Sequence, residues 1–325
     1  MRLRSRLTVF GVSLSAACLP AVAYAHGPVA PKPDLITMLT RWEFDPLFLI
    51  LIGISSWLYI SGVRRVNKAH PKSPFPRKRI AFYFGGIAVL VLALISPPAT
   101  YDTTLFSIHM AQHLLLTMLA APLLLLGTPI TLALRAASPR VRKRILLPIL
   151  HSRVMRFVTF PVFSWLLFAA VMWGSHFSPL YNDSLENAWL HRFEHFLYLT
   201  AALMFWWQAI GLDPSPWNMP YPVKLMYVFL QMPQSAFLGV AIYGSEHVLY
   251  KHYETLQLTW GPSPLGDQQM AGMLMWVGGD MCFLIALGYV IYRWVKHEEL
   301  LAERTDRALA RERAERQSAA ATGGQ

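Results

Sequence analysis

Long apolar stretches recur along the chain and are separated by short polar links. A helix needs about 20 mostly apolar residues to cross the hydrocarbon core of a bilayer. By that measure the pattern predicts an all-α integral membrane protein, a bundle of about seven transmembrane helices. The candidate spans are residues 46–63, 80–96, 105–126, 157–174, 193–211, 222–243 and 270–292.

Basic residues are concentrated in alternate links between these spans. The links 64–79 and 134–156 carry many Lys and Arg, and the tail that follows the last span also begins with them. The links 97–104 and 175–190 carry none. Because basic links stay in the cytoplasm, we expect the N-terminus outside and the C-terminus inside.

The first residues of the chain are typical of a signal peptide. Three arginines and an apolar stretch precede Ala23, Tyr24 and Ala25, which form a small-residue cleavage site. Cleavage would leave His26 at the mature N-terminus, whereas the alternative is an uncleaved anchor helix. We therefore predict a signal peptide, an extracytoplasmic segment, a transmembrane domain and a cytoplasmic charged helical tail, at residues 1–25, 26–45, 46–292 and 293–325.

Composition supports a multi-pass membrane protein in contact with membrane lipid. Apolar types make up 54% of the residues and charged types 14%, against about 25% charged residues in soluble domains. The net charge of +11 does not indicate nucleic-acid binding, because the basic residues lie in links between apolar spans. Cys18 lies in the predicted signal peptide, so Cys282 is left without a partner for an internal disulfide.

Histidines cluster on the predicted outer side. His109 and His113 lie four residues apart in the third span, and His191 and His195 are spaced alike at the fifth, so each pair shares one helix face. Two such pairs at one depth predict a metal site, since imidazole binds copper, zinc, iron and nickel. The alternative for each pair is a hydrogen-bonded polar cap. Further candidate ligands at similar depth are His176, His247, His26, Met110 and Met270.

Four carboxylates are candidates for supporting roles. Asp102, Glu194 and Asp267 are placed to orient the imidazoles by accepting hydrogen bonds. Asp280 lies near the middle of the seventh span, where a carboxylate usually faces the bundle interior and marks an ion or proton path. The alternative for Asp280 is a protonated side chain bonded to a neighbouring helix.

The motifs around these histidines resemble the membrane CtaG-type cytochrome c oxidase assembly factors. The resemblance rests on the combination of several segments across residues 45–295. These are HMAQH at 109–113, APLLLLGTP at 121–129, HFSPLY at 176–181, His191 and His195, Leu249, Tyr250 and Tyr253, DQQMAG at 267–272, and Met275 with Trp276.

The resemblance implies a multi-pass factor of a prokaryotic cytoplasmic (inner) membrane that is needed for an active haem–copper oxidase and acts through copper supply. Its partners would be subunits of cytochrome c oxidase and periplasmic copper chaperones, and we expect no enzymatic activity. Three alternatives stay open: a copper transporter, a scaffold for oxidase subunits without metal, and a haem-binding protein with paired histidines as ligands. A fourth is a membrane metallopeptidase, because residues 191–195 read H-x-x-E-H.

Overall fold

The computed structural model describes residues 30–322, which form helices joined by short links and contain no strand. The prediction of an all-helical protein is therefore confirmed for this part of the chain. The first nine helices are α1 Leu35–Thr40, α2 Pro46–Ala69, α3 Arg77–Leu94, α4 Phe106–Leu114, α5 Ala121–Leu126, α6 Pro129–Ala136, α7 Pro139–Val141, α8 Leu147–Leu150 and α9 Arg153–Val158. The others are α10 Pro161–His176, α11 Leu180–Glu186, α12 Ala188–Ile210, α13 Tyr221–Phe229, α14 Gln231–Tyr243, α15 Lys251–Thr255, α16 Pro264–Met273 and α17 Gly279–Thr322.

Several of these helices continue into one another. A π-helical turn at Leu115–Ala120 joins α4 to α5, and another at Leu274–Gly278 joins α16 to α17. Such turns are frequent at functional sites. The first of them begins at Leu115, two residues after His113, so the part of this helix that carries the histidines and its apolar part meet at the turn.

Five helices within residues 30–322 are long and apolar enough to cross a membrane. They run over Pro46–Ala69, Arg77–Tyr101, Phe106–Ala136, Tyr221–Tyr243 and Pro264–Ala314. Each overlaps one of the predicted spans. The protein is thus a membrane protein by the length and composition of its helices.

The other two predicted spans coincide with α10 and α12, which are not among these five. Helix α10 has only 16 residues. Helix α12 has 23 residues, but its first turns carry polar side chains that include Arg192 and Glu194. The count of seven and the orientation therefore stay predictions.

Aromatic side chains fill the centre of the bundle. Phe205 of α12 is fully buried and its ring lies 5.0 Å from that of Phe168 on α10 and 4.8 Å from that of Tyr227 on α13. Large apolar residues such as Trp57 and Ile285 are instead exposed on the outside, at 66% and 70%. An apolar exterior is what a surface in contact with lipid tails requires.

Two glycines bring α14 and α16 into close contact. A Cβ atom on Gly272 would lie 2.6 Å from the backbone nitrogen of Tyr243, and one on Gly239 would lie 2.8 Å from that of Trp276. Small residues at such positions let membrane helices approach backbone to backbone. The close approach fixes α16 against the bundle and thereby sets the position of its inward face.

The C-terminal part of the last helix extends beyond this bundle. The predicted signal peptide and His26 lie outside the described residues. Helix α17 runs from the membrane into the charged tail and ends at Thr322.

Candidate metal centre

Helix α4 is held at its first turn by a carboxylate from another helix. Asp267 of α16 accepts hydrogen bonds from the backbone amides of Phe106 and Ser107, at 2.6 and 3.3 Å, and from the Ser107 hydroxyl. These amides have no partner within their own helix. Asp267 was expected to orient an imidazole directly. The structure shows instead that it positions the helix that carries two of them.

His109 and His113 of α4, called the α4 pair from here on, meet ring to ring as their spacing predicts. Their Nε2 atoms are 3.1 Å apart, and their rings are inclined by 80°. Two nitrogens bound at about 2.0 Å to one tetrahedral ion lie about 3.3 Å apart. Both side chains are buried, at 0% and 3% exposure. The two nitrogens therefore have nearly the separation that two ligands of one ion need.

His191 and His195 form a second pair at the start of α12, the α12 pair. Asn187 caps this helix by accepting hydrogen bonds from the amides of Trp189 and Leu190. The two imidazole rings lie 4.4 Å apart. Their Nε2 atoms are buried and have no hydrogen-bond partner among the described residues.

The two pairs face each other across the interface of α4 and α12. The His109 ring lies 5.2 Å from the His191 ring, and the His113 ring lies 5.8 Å from the His195 ring. The predicted meeting of two HxxxH pairs from separate helices is thus present in the structure. The His176 ring lies 6.5 Å from that of His113. The two pairs and His176 together form the histidine cluster.

His176 ends α10 with a defined tautomer. Its Nδ1 lies 2.7 Å from the backbone oxygen of Met172. A carbonyl oxygen only accepts, so Nδ1 carries the proton, and in a neutral imidazole Nε2 is then an unprotonated lone pair. That Nε2 lies 3.3 Å from Sδ of Met110. A thioether carries no proton either, so two donors of electron pairs face each other with no hydrogen between them.

Two carboxylates complete the centre, and each lies beside one of the paired histidines. Glu194 of α12 is fully buried, accepts a hydrogen bond of 2.7 Å from Ser184, and lies 3.9 Å from Nε2 of His109. Asp102, in the link before α4, lies 3.8 Å from Nε2 of His191. Burial raises the pKa of the Asp102 carboxyl to about 7, against hydrogen bonds from Gln112 and the Thr103 amide that lower it.

These residues form two sets of three candidate ligands. In each set one ligand atom per residue lies within 4.8 Å of the other two. The first set is His109, His113 and Glu194, and the second is Asp102, His191 and His195. Imidazole and carboxylate donors in such sets suit a transition-metal ion.

The structure adds residues to the site that the sequence analysis did not assign to it. Tyr198 stacks on His113 with 4.0 Å between ring centroids and bonds to the Ser175 hydroxyl. Tyr253 donates to the backbone oxygen of Asp102 and lies 3.0 Å from the Tyr181 hydroxyl. Tyr198 follows His195 by three residues and so shares its helix face, a signal visible in the sequence. Ser184 and Tyr253 approach only through the fold.

Three predicted site residues lie elsewhere. His247 is exposed in the loop after α14, where its backbone bonds to Ser245 and Gln268. Met270 is 46% exposed because the neighbouring positions of α16 face inward. Asp280 is half-buried on α17, and no described contact joins it to the histidine cluster. His247 and Met270 are therefore not ligands of this centre in the conformation described.

The chain matches a protein-family model and several curated proteins. Residues 57–297 match the family model described as cytochrome c oxidase caa3 assembly factor (Caa3_CtaG). An uncharacterized protein of Mycobacterium leprae is 32% identical over 85% of this chain and 42% of its own length. Uncharacterized proteins of Mycobacterium bovis and Mycobacterium tuberculosis are each 31% identical over 85% of this chain and 43% of their own length.

The match covers the whole histidine cluster. The chain spans less than half the length of these curated relatives, and no solved structure matches it. The matched region contains both HxxxH pairs, His176 and the two carboxylates. The resemblance predicted from the motifs is confirmed, and the chain belongs to the cytochrome c oxidase caa3 assembly factor family.

Proposed function

We propose that the protein binds copper in the histidine cluster and supplies it to a cytochrome c oxidase during assembly. Membership of an assembly-factor family implies interaction with the oxidase and suggests a role without catalysis. Oxidase subunits and periplasmic copper chaperones are the partners that such a role requires. The copper ion is cargo in this proposal.

The pairing of His176 with Met110 is the observation that carries copper over other metals. Imidazole alone binds zinc, iron and nickel as well, whereas a thioether selects Cu(I). Met110 is 2% exposed, and its Sδ faces an unprotonated imidazole nitrogen at 3.3 Å. A soft donor held against a lone pair beside four further imidazoles suits Cu(I) better than a hard cation.

We also infer that the chain crosses a bacterial cytoplasmic membrane seven times with its N-terminus outside. Helix α12 has 23 residues, which corresponds to about 35 Å, and a bilayer core is about 30 Å thick. Near the start of α12, His191 lies beside Asp102, which belongs to the link 97–104 that contains no Lys or Arg. After the end of α12, Asp213 accepts hydrogen bonds from the amides of Ile130 and Thr131, close to basic residues. These contacts support a crossing by α12.

The histidine cluster is tested by metal analysis of the full chain purified in detergent. We expect copper to co-purify with the protein and to be lost in a variant with all four paired histidines changed to Ala. The matched control replaces four exposed histidines, namely His70, His151, His247 and His297. Copper content that is equal in both variants would contradict a specific site in the cluster.

A scaffold without metal predicts a different result in the cell. If the protein supplies copper, excess copper in the medium should restore oxidase activity to a strain that lacks it. A scaffold holds subunits together, so added copper would leave the defect unchanged. That outcome would remove copper supply from the proposed function even if the purified protein binds the ion.

The metallopeptidase alternative is disfavoured by burial. In the H-x-x-E-H segment, Glu194 is fully buried, and the Nε2 atoms of His191 and His195 are buried as well. A peptidase needs an open coordination position that a polypeptide can reach. Glu194 Oε2 is also held by the Ser184 hydroxyl at 2.7 Å, and its Oε1 is buried.

A further inference from the structure

We propose that the histidine cluster holds two copper ions side by side, one on each HxxxH pair. This inference rests on the proposed function and specifies its stoichiometry. The first position is the α4 pair with Glu194, beside His176 and Met110, and the second is the α12 pair with Asp102. Each pair thus receives its carboxylate from a different element of the fold.

Ring orientation separates the two positions. The lone pair of an imidazole nitrogen lies in the plane of its ring. His109 and His191 are stacked, with planes only 18° apart and 5.2 Å between centroids, so their lone pairs lie in nearly parallel planes. Within the α4 pair the planes are 80° apart and the two Nε2 atoms converge to 3.1 Å. Convergence of nitrogens therefore occurs within the α4 pair, whereas His109 and His191, which belong to different pairs, are stacked; His113 and His195 are nearly perpendicular, at 87°.

The number of donors also favours two ions. Four imidazoles and two carboxylates form two sets in which every ligand atom lies within 4.8 Å of the others in its set. An ion with four ligands would leave two of these six groups buried without a partner, and unpaired buried polar groups are costly. In the α12 pair, the Nε2 atoms of His191 and His195 are buried without a hydrogen-bond partner among the described residues.

Charge balance points to the monovalent state. Asp102 and Glu194 are buried, at 6% and 0% exposure. Two carboxylates and two Cu(I) ions sum to zero, whereas two Cu(II) ions would leave two positive charges uncompensated. A buried uncompensated charge is strongly unfavourable. Glu194 lies 3.9 Å from the His109 nitrogen and Asp102 lies 3.8 Å from that of His191, so each position has one counter-charge.

The experiment counts copper in two complementary variants. The full chain in detergent is loaded anaerobically with Cu(I) under ascorbate, desalted and analysed for copper per chain. One variant removes the α4 pair (His109→Ala, His113→Ala), the second removes the α12 pair (His191→Ala, His195→Ala), and a third removes both. Elution volume and helical circular dichroism verify that each variant is folded, and His247→Ala is the control.

Two separate positions predict additive losses. Each pair variant should contain one copper fewer than the unchanged protein, and the third variant two fewer. If either pair variant loses as much copper as the third variant, the cluster holds one shared ion and the inference is wrong while copper binding stands. If the unchanged protein takes up no copper, the proposed function itself fails, which is a distinguishable result.

If one of the alanine variants does not fold, milder replacements of the two carboxylates test the two positions instead. Conservative replacements Glu194→Gln and Asp102→Asn keep the size of each side chain and remove one counter-charge from one position. Each should weaken one of two Cu(I) binding steps and leave the other at its original affinity in a competition titration. Equal weakening of every step by either replacement would overturn the separation of the positions.

Discussion

His176 is the residue whose protonation the structure defines most directly, and it decides what Met110 can do. The bond from Nδ1 to the Met172 carbonyl at 2.7 Å leaves Nε2 free to donate its lone pair. A hydrogen-bonded partner on the other ring nitrogen is the usual way in which a protein fixes a ligating histidine. The thioether at 3.3 Å then supplies the soft donor of the centre.

Replacing Met110 with Leu tests this assignment without emptying the site. Leucine has a similar volume, and such exchanges in a core usually cost less than about 1.5 kcal/mol. We expect the variant to fold and its affinity for Cu(I) to fall about tenfold, the equivalent of about 1.4 kcal/mol. The measurement is a competition titration with a Cu(I) chelator.

The matched control for that exchange is Met270→Leu. Met270 is 46% exposed on the outside of α16, so its thioether faces away from the histidine cluster. The Met270→Leu variant should bind Cu(I) with the same affinity as the unchanged protein. Equal affinity in the two leucine variants would show that Met110 is only a packing residue.

At the scale of the element, α4 depends on α16 for its position. Asp267 accepts the bonds of two backbone amides and one hydroxyl at the start of α4, and α16 is itself pressed against α14 through Gly272 and Gly239. The first turn of α4 leads directly to His109. The acidic residue of the DQQMAG segment thus places a histidine that it does not touch.

Removing this carboxylate with Asp267→Ala should therefore affect both stability and metal binding. It leaves buried amides of Phe106 and Ser107 without acceptors, and an unsatisfied buried donor costs about 1–3 kcal/mol. We expect Tm to fall by several degrees and copper affinity to decrease with it. Asp267→Asn retains an acceptor oxygen and should recover much of both; no difference between the two variants would contradict the capping role.

Periodicity explains which site residues the sequence could predict. The i,i+4 spacing of the α4 pair and the α12 pair predicts their shared helix faces, and the structure has the rings 4.4 Å apart in each. Met270 does not reach the histidine cluster, because the depth of a residue along a membrane span does not specify which face of the helix it lies on. Its neighbours Asp267 and Ala271 are buried, which turns Met270 outward.

Other parts of the centre depend on tertiary contacts that no local pattern contains. Ser184 reaches Glu194 because α11 folds back over α12, and Tyr253 reaches Asp102 from α15, 151 residues further along the chain. His247 has the right depth in the sequence, but its loop leaves it exposed. A membrane span specifies depth, whereas only the packing of loops specifies which outer residues converge.

At the scale of the whole molecule, α10 and α12 decide whether the chain crosses the membrane five or seven times. Each of these two helices has one end near basic residues and the other end at the histidine cluster. The Trp217 indole, after α12, donates to the backbone oxygen of Arg156, before α10, at 2.7 Å, and this end lies among basic residues. The opposite ends carry His176 and His191, which belong to the histidine cluster. The two helices thus extend between the same two levels as the helix that begins with α4.

The link between α10 and α12 distinguishes the two topologies. If both helices cross, residues 175–190 lie outside, whereas if neither crosses, this link stays on the cytoplasmic side with the basic residues of 134–156. The N-terminus and the C-terminus have the same sides in both cases, so terminal tags are uninformative. A label within the link is the decisive measurement.

Glu186→Cys introduces an exposed thiol in this link, and Lys143→Cys introduces one in the basic link. In intact cells, a maleimide that cannot cross membranes should label Glu186→Cys and spare Lys143→Cys, while both should react once the membrane is opened. The half-buried Cys282 is measured in the unchanged protein as background. Protection of Glu186→Cys in intact cells together with Lys143→Cys would mean five crossings, and it would place the α12 pair on the cytoplasmic side, away from any periplasmic source of copper.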